Sequence, residues 1–250
     1  MNRRRAIVTV PGLVILASYP NLAGALDLGG ALGAAKDAVK AATLTDNEVR
    51  SYAAQMASYS DRQAKIAPAG NKYAARLAGI TSGLTEDNGL KLNFKCYLTP
   101  EVNAFAMADG TIRFYSGLMD MMTDDELRYV VGHEMGHIKH GHTKARMQTA
   151  LAASATQKGI AASNTRAAGL ADSQLGDLIV KVVRAQHSQG NEREADDYAM
   201  QFMSRRKYDR KACVSALEKL VKLSGGGGTS WLSTHPSPKE RAERMRKQLA

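Results

Sequence analysis

His133 and His137 stand four residues apart, with Glu134 directly after the first. On a helix, residues i and i+4 share a face, so both imidazoles can aim at one Zn²⁺. Glu134 can then reach a metal-bound water as a general base. The run His133-Glu134-Met135-Gly136-His137 is an H-E-x-x-H motif, and its chemistry is metal-assisted hydrolysis of an amide.

That chemistry requires a helix. Thr123 and Glu126 fit a capping box, and Asp124 and Asp125 suit the positive end of the helix dipole. From Leu127 to His140 there is no proline, and Leu127, Val130, Val131, Met135 and Ile138 make an apolar stripe at helical spacing. Gly136 costs about 1 kcal/mol against alanine. A residue that small makes sense if another element packs close.

A catalytic zinc site with two histidines often adds one glutamate and leaves a position open. The segment Asn191–Tyr198 reads as a second helix in which Glu192 and Asp196 share a face. Glu192 can supply the glutamate. Asp196 can accept a hydrogen bond from the far ring nitrogen of a ligating histidine, fixing its tautomer. Glu194 points roughly 200° away and is the poorer ligand. The same acidic residues also suit an ordinary solvated helix face.

H-E-M-G-H followed by E-x-E-A-D resembles the gluzincin peptidases of the HtpX, BepA and LoiP kind, relatives of the CAAX prenyl proteases. The pattern is nearest to the LoiP kind. The segments Val102–Met107 and Tyr115–Met119 look like the family's hairpin ahead of the zinc helix. Ser233-Thr234-His235-Pro236-Ser237 with Arg241 looks like its C-terminal T-H-P element. The likeness runs from Leu44 to the C-terminus. It implies an α+β fold: a mainly helical zincin-type metallopeptidase domain with a small antiparallel sheet or hairpin beside the H-E-x-x-H helix.

The resemblance also implies roles. His133, His137 and Glu192 are the expected ligands of one Zn²⁺, and Glu134 is the base and later the proton donor. Asp196 supports a ligand histidine. His235 matches a histidine that lies near the zinc in relatives and can occupy its open position; here it is expected to hold the enzyme latent or to stabilise the oxyanion, and it also suits a loop residue held between Thr234 and Pro236. Arg241 orients this element or helps with the same charge; it also suits a helix-surface cation. Asn103, Ala104, Phe105 and Ala106 are expected to bind substrate as a sheet edge, because peptidases add extended peptides to such edges.

The other histidines carry less. A metzincin pattern would need glycine at 140 and histidine at 143, where this chain has His140 and Thr143. His142 reads as structural, and His187 as a loop or helix-end residue.

Residues 1–25 read as a secretory signal. Arg3-Arg4-Arg5 is a basic start, Ala6–Ala17 is largely apolar, and Ala23-Gly24-Ala25 suits cleavage. The apolar run is short and broken by Pro11, so a membrane anchor is the weaker reading. No cysteine follows it, which argues against a lipoprotein. The expected compartment is the periplasm. The formal charge of +10 falls to +7 without residues 1–25, which suits a solvated basic surface first and peripheral contact with an anionic membrane second. No nucleic-acid motif accompanies it. Cys96 and Cys213 are the two cysteines, and the sequence does not establish that they pair.

Residues 26–43 form a Gly- and Ala-rich lead-in, and residues 44–250 one metallopeptidase domain, a size that allows a real core. Thr43–Gly83 reads as helical with a break at Pro68. Leu90–Leu98 alternates like a strand, and Asp109-Gly110 marks a hairpin turn. Thr143–Ser188 reads as a helical hairpin with Gly169 and Gly176 near its bends. Polar residues interrupt every apolar run there, unlike the membrane spans of HtpX-like relatives. Residues 224–230 are a flexible Gly-rich loop leading to the T-H-P element, and Pro238 opens a basic helix.

The expected function is zinc endopeptidase action on misfolded or misassembled cell-envelope proteins. The alternative is a latent peptidase acting mainly as a chaperone-like factor in outer-membrane protein assembly. BepA-type chains carry tetratricopeptide repeats for such partner work, and these 250 residues show none. The sequence sets no oligomeric state.

Overall fold

The computed structural model describes residues 44–158, 171–224 and 230–249. The signal and lead-in segments, Gly169 and residues 225–229 of the Gly-rich loop lie outside these. Helix α1 spans Asp46–Gln63, started by a Thr45–Glu48 capping box. Helix α2 spans Lys72–Ile80 behind an Asn71 cap. Strands β1 (Glu86–Asp87) and β2 (Leu90–Lys91) form a small antiparallel pair. Then come β3 (Asn93–Tyr97), β4 (Ala104–Ala106), β5 (Thr111–Tyr115) and the short helix α3 (Ser116–Met121).

Helix α4, Asp124–Lys139, carries the motif, and the predicted Thr123–Glu126 capping box is formed. Helices α5 (His142–Lys158), α6 (Asp172–Val183), α7 (Gln189–Arg205), α8 (Lys211–Ser224), α9 (Ser230–Thr234) and α10 (Pro238–Lys247) follow. The fold is the mainly helical α+β arrangement expected. Among the described residues no helix is long and apolar enough to cross a membrane.

The larger sheet has the order β3-β5-β4. Its β4–β5 hairpin is antiparallel, as predicted, and turns at Gly110 with φ of 92°. Strand β3 joins the other side of β5 in parallel, so the sheet is mixed. β4 is thus an edge strand.

Alternation along these strands feeds two cores. Cys96, Ala104, Ile112 and Phe114 pack with α4, α7 and α8. Tyr97, Phe105 and Met107 pack with α1, α5 and α6. The sheet is therefore covered on both faces. Gly176 does not mark a bend: it lies within α6, where an added Cβ would meet the Tyr59 hydroxyl at 3.1 Å. Its neighbour there is a tyrosine of α1, so the glycine sits at a helix–helix contact. Cys96 and Cys213 are free and buried, and burial pushes their thiols up to about 11 and about 12.

Candidate active site

Helix α4 lies against α7 at closest approach where its glycines fall. A Cβ on Gly136 would sit 2.8 Å from Ala195 Cα, and one on Gly132 would sit 2.7 Å from the Phe202 ring. Close packing here is the reason for the glycine noted in the sequence. It sets His133 and His137 of α4 directly opposite Glu192 and Asp196 of α7. The four are essentially inaccessible to solvent.

His133 Nε2 lies 3.1 Å from His137 Nε2 and 3.5 Å from Glu192 Oε2. His137 Nε2 lies 3.4 Å from Glu192 Oε1. His235, just past α9, brings Nδ1 to 3.2 Å from His133 Nε2 and 3.1 Å from Glu192 Oε1. Tetrahedral zinc with bonds of about 2.0–2.1 Å separates its ligand atoms by roughly 3.3 Å. The spacings among His133, His137 and Glu192 are of that size, and His235 Nδ1 stands equally close to two of the three. Burying lone pairs and a carboxylate face to face is otherwise costly, so the donor set fits a cation.

The surroundings fix the donors. Asp196 Oδ1 lies 3.0 Å from His133 Nδ1. A carboxylate only accepts, so the proton sits on Nδ1 and the Nε2 lone pair faces the cluster. Asp196 in turn accepts from Tyr129 Oη at 2.9 Å and from Arg241 Nε and Nη2 at 2.9 and 2.7 Å. Arg241 also pairs with Glu192 Oε2. Arg241 is buried, which excludes the helix-surface reading. Its fork is taken up by these two carboxylates. Burial alone would raise both carboxyls, but the Arg241 guanidinium outweighs it and holds them below the usual range. Burial also lowers the basicity of His137 and His235, favouring the neutral form that ligates.

Glu134 is buried, and its Oε1 has no hydrogen-bond partner among the described residues. His235 Nε2 lies 3.6 Å from it. The His235 ring stacks on Trp231 at 4.5 Å between centroids. Asn103, Ala104, Phe105 and Ala106 lie on or beside edge strand β4. Bonds from Tyr115 N to Asn103 O and from Met107 N to Thr111 O set the ladder phase. The backbone groups of Ala104 and Ala106 therefore point away from β5.

Three residues read as peripheral in the sequence lie around the cluster. His187 is buried and stacks on His137 at 3.8 Å between centroids, with Arg146 donating to its Nε2. His142 and Glu194 lie behind His137. The spacing of Trp231 to His235, one helical turn, is the one such contact a sequence pattern could have suggested.

The profile of Peptidase family M48 matches residues 71–249. This chain belongs to family M48. As an M48 member it is similar throughout to Metalloprotease LoiP of Escherichia coli (strain K12). The two are 39% identical over 251 residues, 100% of this chain and 98% of the relative. Metalloprotease YcaL of the same organism is 36% identical over 250 residues, again 100% of this chain and 98% of the relative. The Beta-barrel assembly-enhancing protease of Yersinia pestis is 28% identical over 165 residues, 62% of this chain and 34% of that protein. The M48 chain is a metalloprotease, and its substrates are peptides.

Proposed function

We propose that this chain is a zinc endopeptidase that hydrolyses misfolded or misassembled cell-envelope proteins in the periplasm, with Glu134 as its base. The observation that carries the zinc site is the buried set of His133, His137 and Glu192, with donor atoms 3.1–3.5 Å apart and His235 beside them. His133, His137 and Glu192 hold the metal. The chemistry the metal supplies when bound is Lewis acidity, which makes water a nucleophile near neutral pH.

Glu134 takes a proton from the attacking water as the new C–O bond forms. It then passes that proton to the amide nitrogen as the C–N bond breaks. Its unpartnered Oε1 is available for both transfers. Asp196 and Arg241 do not touch the reacting atoms in this scheme. They position His133 and Glu192 through the ion pairs described. His235 stands against the donor cluster, facing His133 and Glu192, and would have to withdraw for substrate to enter. The outward backbone of Ala104 and Ala106 pairs with an extended peptide, which tolerates many sequences.

The envelope substrate and periplasmic location draw support from the basic, apolar and small-residue pattern of residues 1–25 and from the relative named as beta-barrel assembly-enhancing. Without residues 1–25, which hold three arginines and no acid, the chain's formal charge is +7 rather than +10, which still supports peripheral contact with anionic membrane. The latent, chaperone-like alternative draws support from His235 lying against the donor cluster. Casein cleavage by the zinc-loaded protein beside Glu134→Gln tests the proposal. Expected is cleavage by wild type only, with zinc retained in both. Equal rates would sink the role of Glu134. Zinc bound by both with no cleavage by either would favour the alternative.

A further inference from the structure

The far nitrogen of His133 meets a buried carboxylate. That of His137 meets another histidine: His137 Nδ1 lies 3.0 Å from His142 Nδ1. His142 Nε2 in turn lies 2.8 Å from Glu194 Oε2. His142 is buried, whereas the Glu194 side chain is 59% exposed. The local fold produces this contact. Gly141, with φ of 74°, turns the chain after α4 so that His142, the first residue of α5, falls back beside His137.

The proton positions follow from donor and acceptor types. A carboxylate offers acceptors only, so His142 Nε2 donates to Glu194. Neutral His142 then has a bare Nδ1, which accepts from His137 Nδ1–H. That leaves the His137 Nε2 lone pair facing His133 Nε2 and Glu192 Oε1. The opposite assignment, with the proton on His142 Nδ1, would move the His137 proton to Nε2 and aim it into the cluster.

We propose that Glu194 and His142 form a relay that positions His137 as a metal ligand, fixing both its tautomer and its ring orientation. The proposal rests on the reading of His137 as a ligand. Helix α7 then grips one histidine twice. Glu192 faces its Nε2 directly, and Glu194 holds its Nδ1 through His142. The two ligand histidines are supported unequally. His133 has a buried Asp196 clamped by Arg241 and Tyr129. His137 has an imidazole backed by a carboxylate open to solvent, and that exposed end makes the relay testable without disturbing a core.

The test measures zinc affinity of the full chain by chelator competition, the visible spectrum of the cobalt(II)-substituted protein, and the melting temperature of the metal-free protein. Glu194→Ala should weaken zinc about tenfold, and His142→Leu about 10–100-fold, the range for outer hydrogen-bond partners of ligand histidines. Glu194→Gln, which keeps an acceptor, should recover most of the loss. The cobalt spectrum should shift in Glu194→Ala while the metal-free melting temperature does not, which a merely structural contact would not produce. Wild-type zinc affinity in both Glu194→Ala and His142→Leu would overturn the relay. A wild-type chain that binds no zinc, or a His137→Ala variant that binds it unimpaired, would instead sink the ligand assignment beneath it.

Discussion

Replacing Gly136 by alanine separates stability from metal binding in this fold. The new Cβ would lie 2.8 Å from Ala195 Cα and 2.9 Å from Ala195 O. Both are backbone atoms and cannot rotate aside. Ordinary carbon contacts begin near 3.5 Å, so the helices must part by roughly 0.6 Å. Overpacking of this kind costs about 1–3 kcal/mol, and alanine returns about 1 kcal/mol of helix propensity. The net loss of stability is about 0–2 kcal/mol, and the variant folds.

The ligands feel the same shift more sharply. His133 and His137 ride on α4, whereas Glu192 rides on α7 one turn before Ala195. Metal–ligand bonds tolerate departures of about 0.2 Å. A gap opened by several times that amount should lower zinc affinity by at least the 10–100-fold that loss of an outer partner costs. Chelator competition reads the affinity, and thermal unfolding of the metal-free protein reads the fold. Gly79→Ala is the control, because its added Cβ meets nothing within 4 Å. A folded Gly136→Ala protein with wild-type zinc affinity would refute the reasoning that helix spacing sets the site.

Three further outcomes are expected. His235→Ala should retain zinc through the other three ligands and raise casein cleavage; a contact worth about 1.4 kcal/mol corresponds to a tenfold change in the open population, and a rate below wild type would refute closure. Ala106→Pro should leave the fold intact, because its N–H points away from β5, and should raise the peptide KM about fivefold for one lost main-chain bond of about 1 kcal/mol; an unchanged KM counts against the edge. Asp61 accepts from Arg113, Lys95 and Tyr97; burial pulls its carboxyl up, but these donors outweigh it and hold it below the ordinary value. Its stabilisation is therefore present above about pH 3.9 and lost as pH falls through the depressed value. Asp61→Asn should be about 3 kcal/mol less stable at pH 7, with Arg113 left buried and unpaired, and denaturant unfolding should show the gap closing below about pH 4.

The parts of the site that were legible are those that repeat with a helix. His133 and His137 are one turn apart, as are Glu192 and Asp196, and the capping box at Thr123 starts α4 where its pattern said. His235 and Arg241 were legible through the family's T-H-P element alone, because nothing in their spacing points at a metal. The sheet was half legible: alternation marked β3, but alternation carries no information about partners. β3 skips β4, the next strand in sequence, and pairs with the far side of β5 in parallel, where it packs on α2. Gly176 misled because glycine signals a turn and a close contact with the same letter.

The relay behind His137 is the instructive miss. His142 follows across a helix break, where the 3.6-residue period no longer predicts direction. Glu194 points away from Glu192 on α7, which excludes it as a ligand of the same metal but not as a partner of a ligand. A ligand histidine has two nitrogens facing opposite ways, so a site built on one helix face needs a partner on the far side of the ring. The residue rejected as a ligand for facing away is thereby able to reach that second nitrogen through an intermediary. A search from sequence for what supports a ligand should therefore begin with polar residues that the ligand pattern excludes.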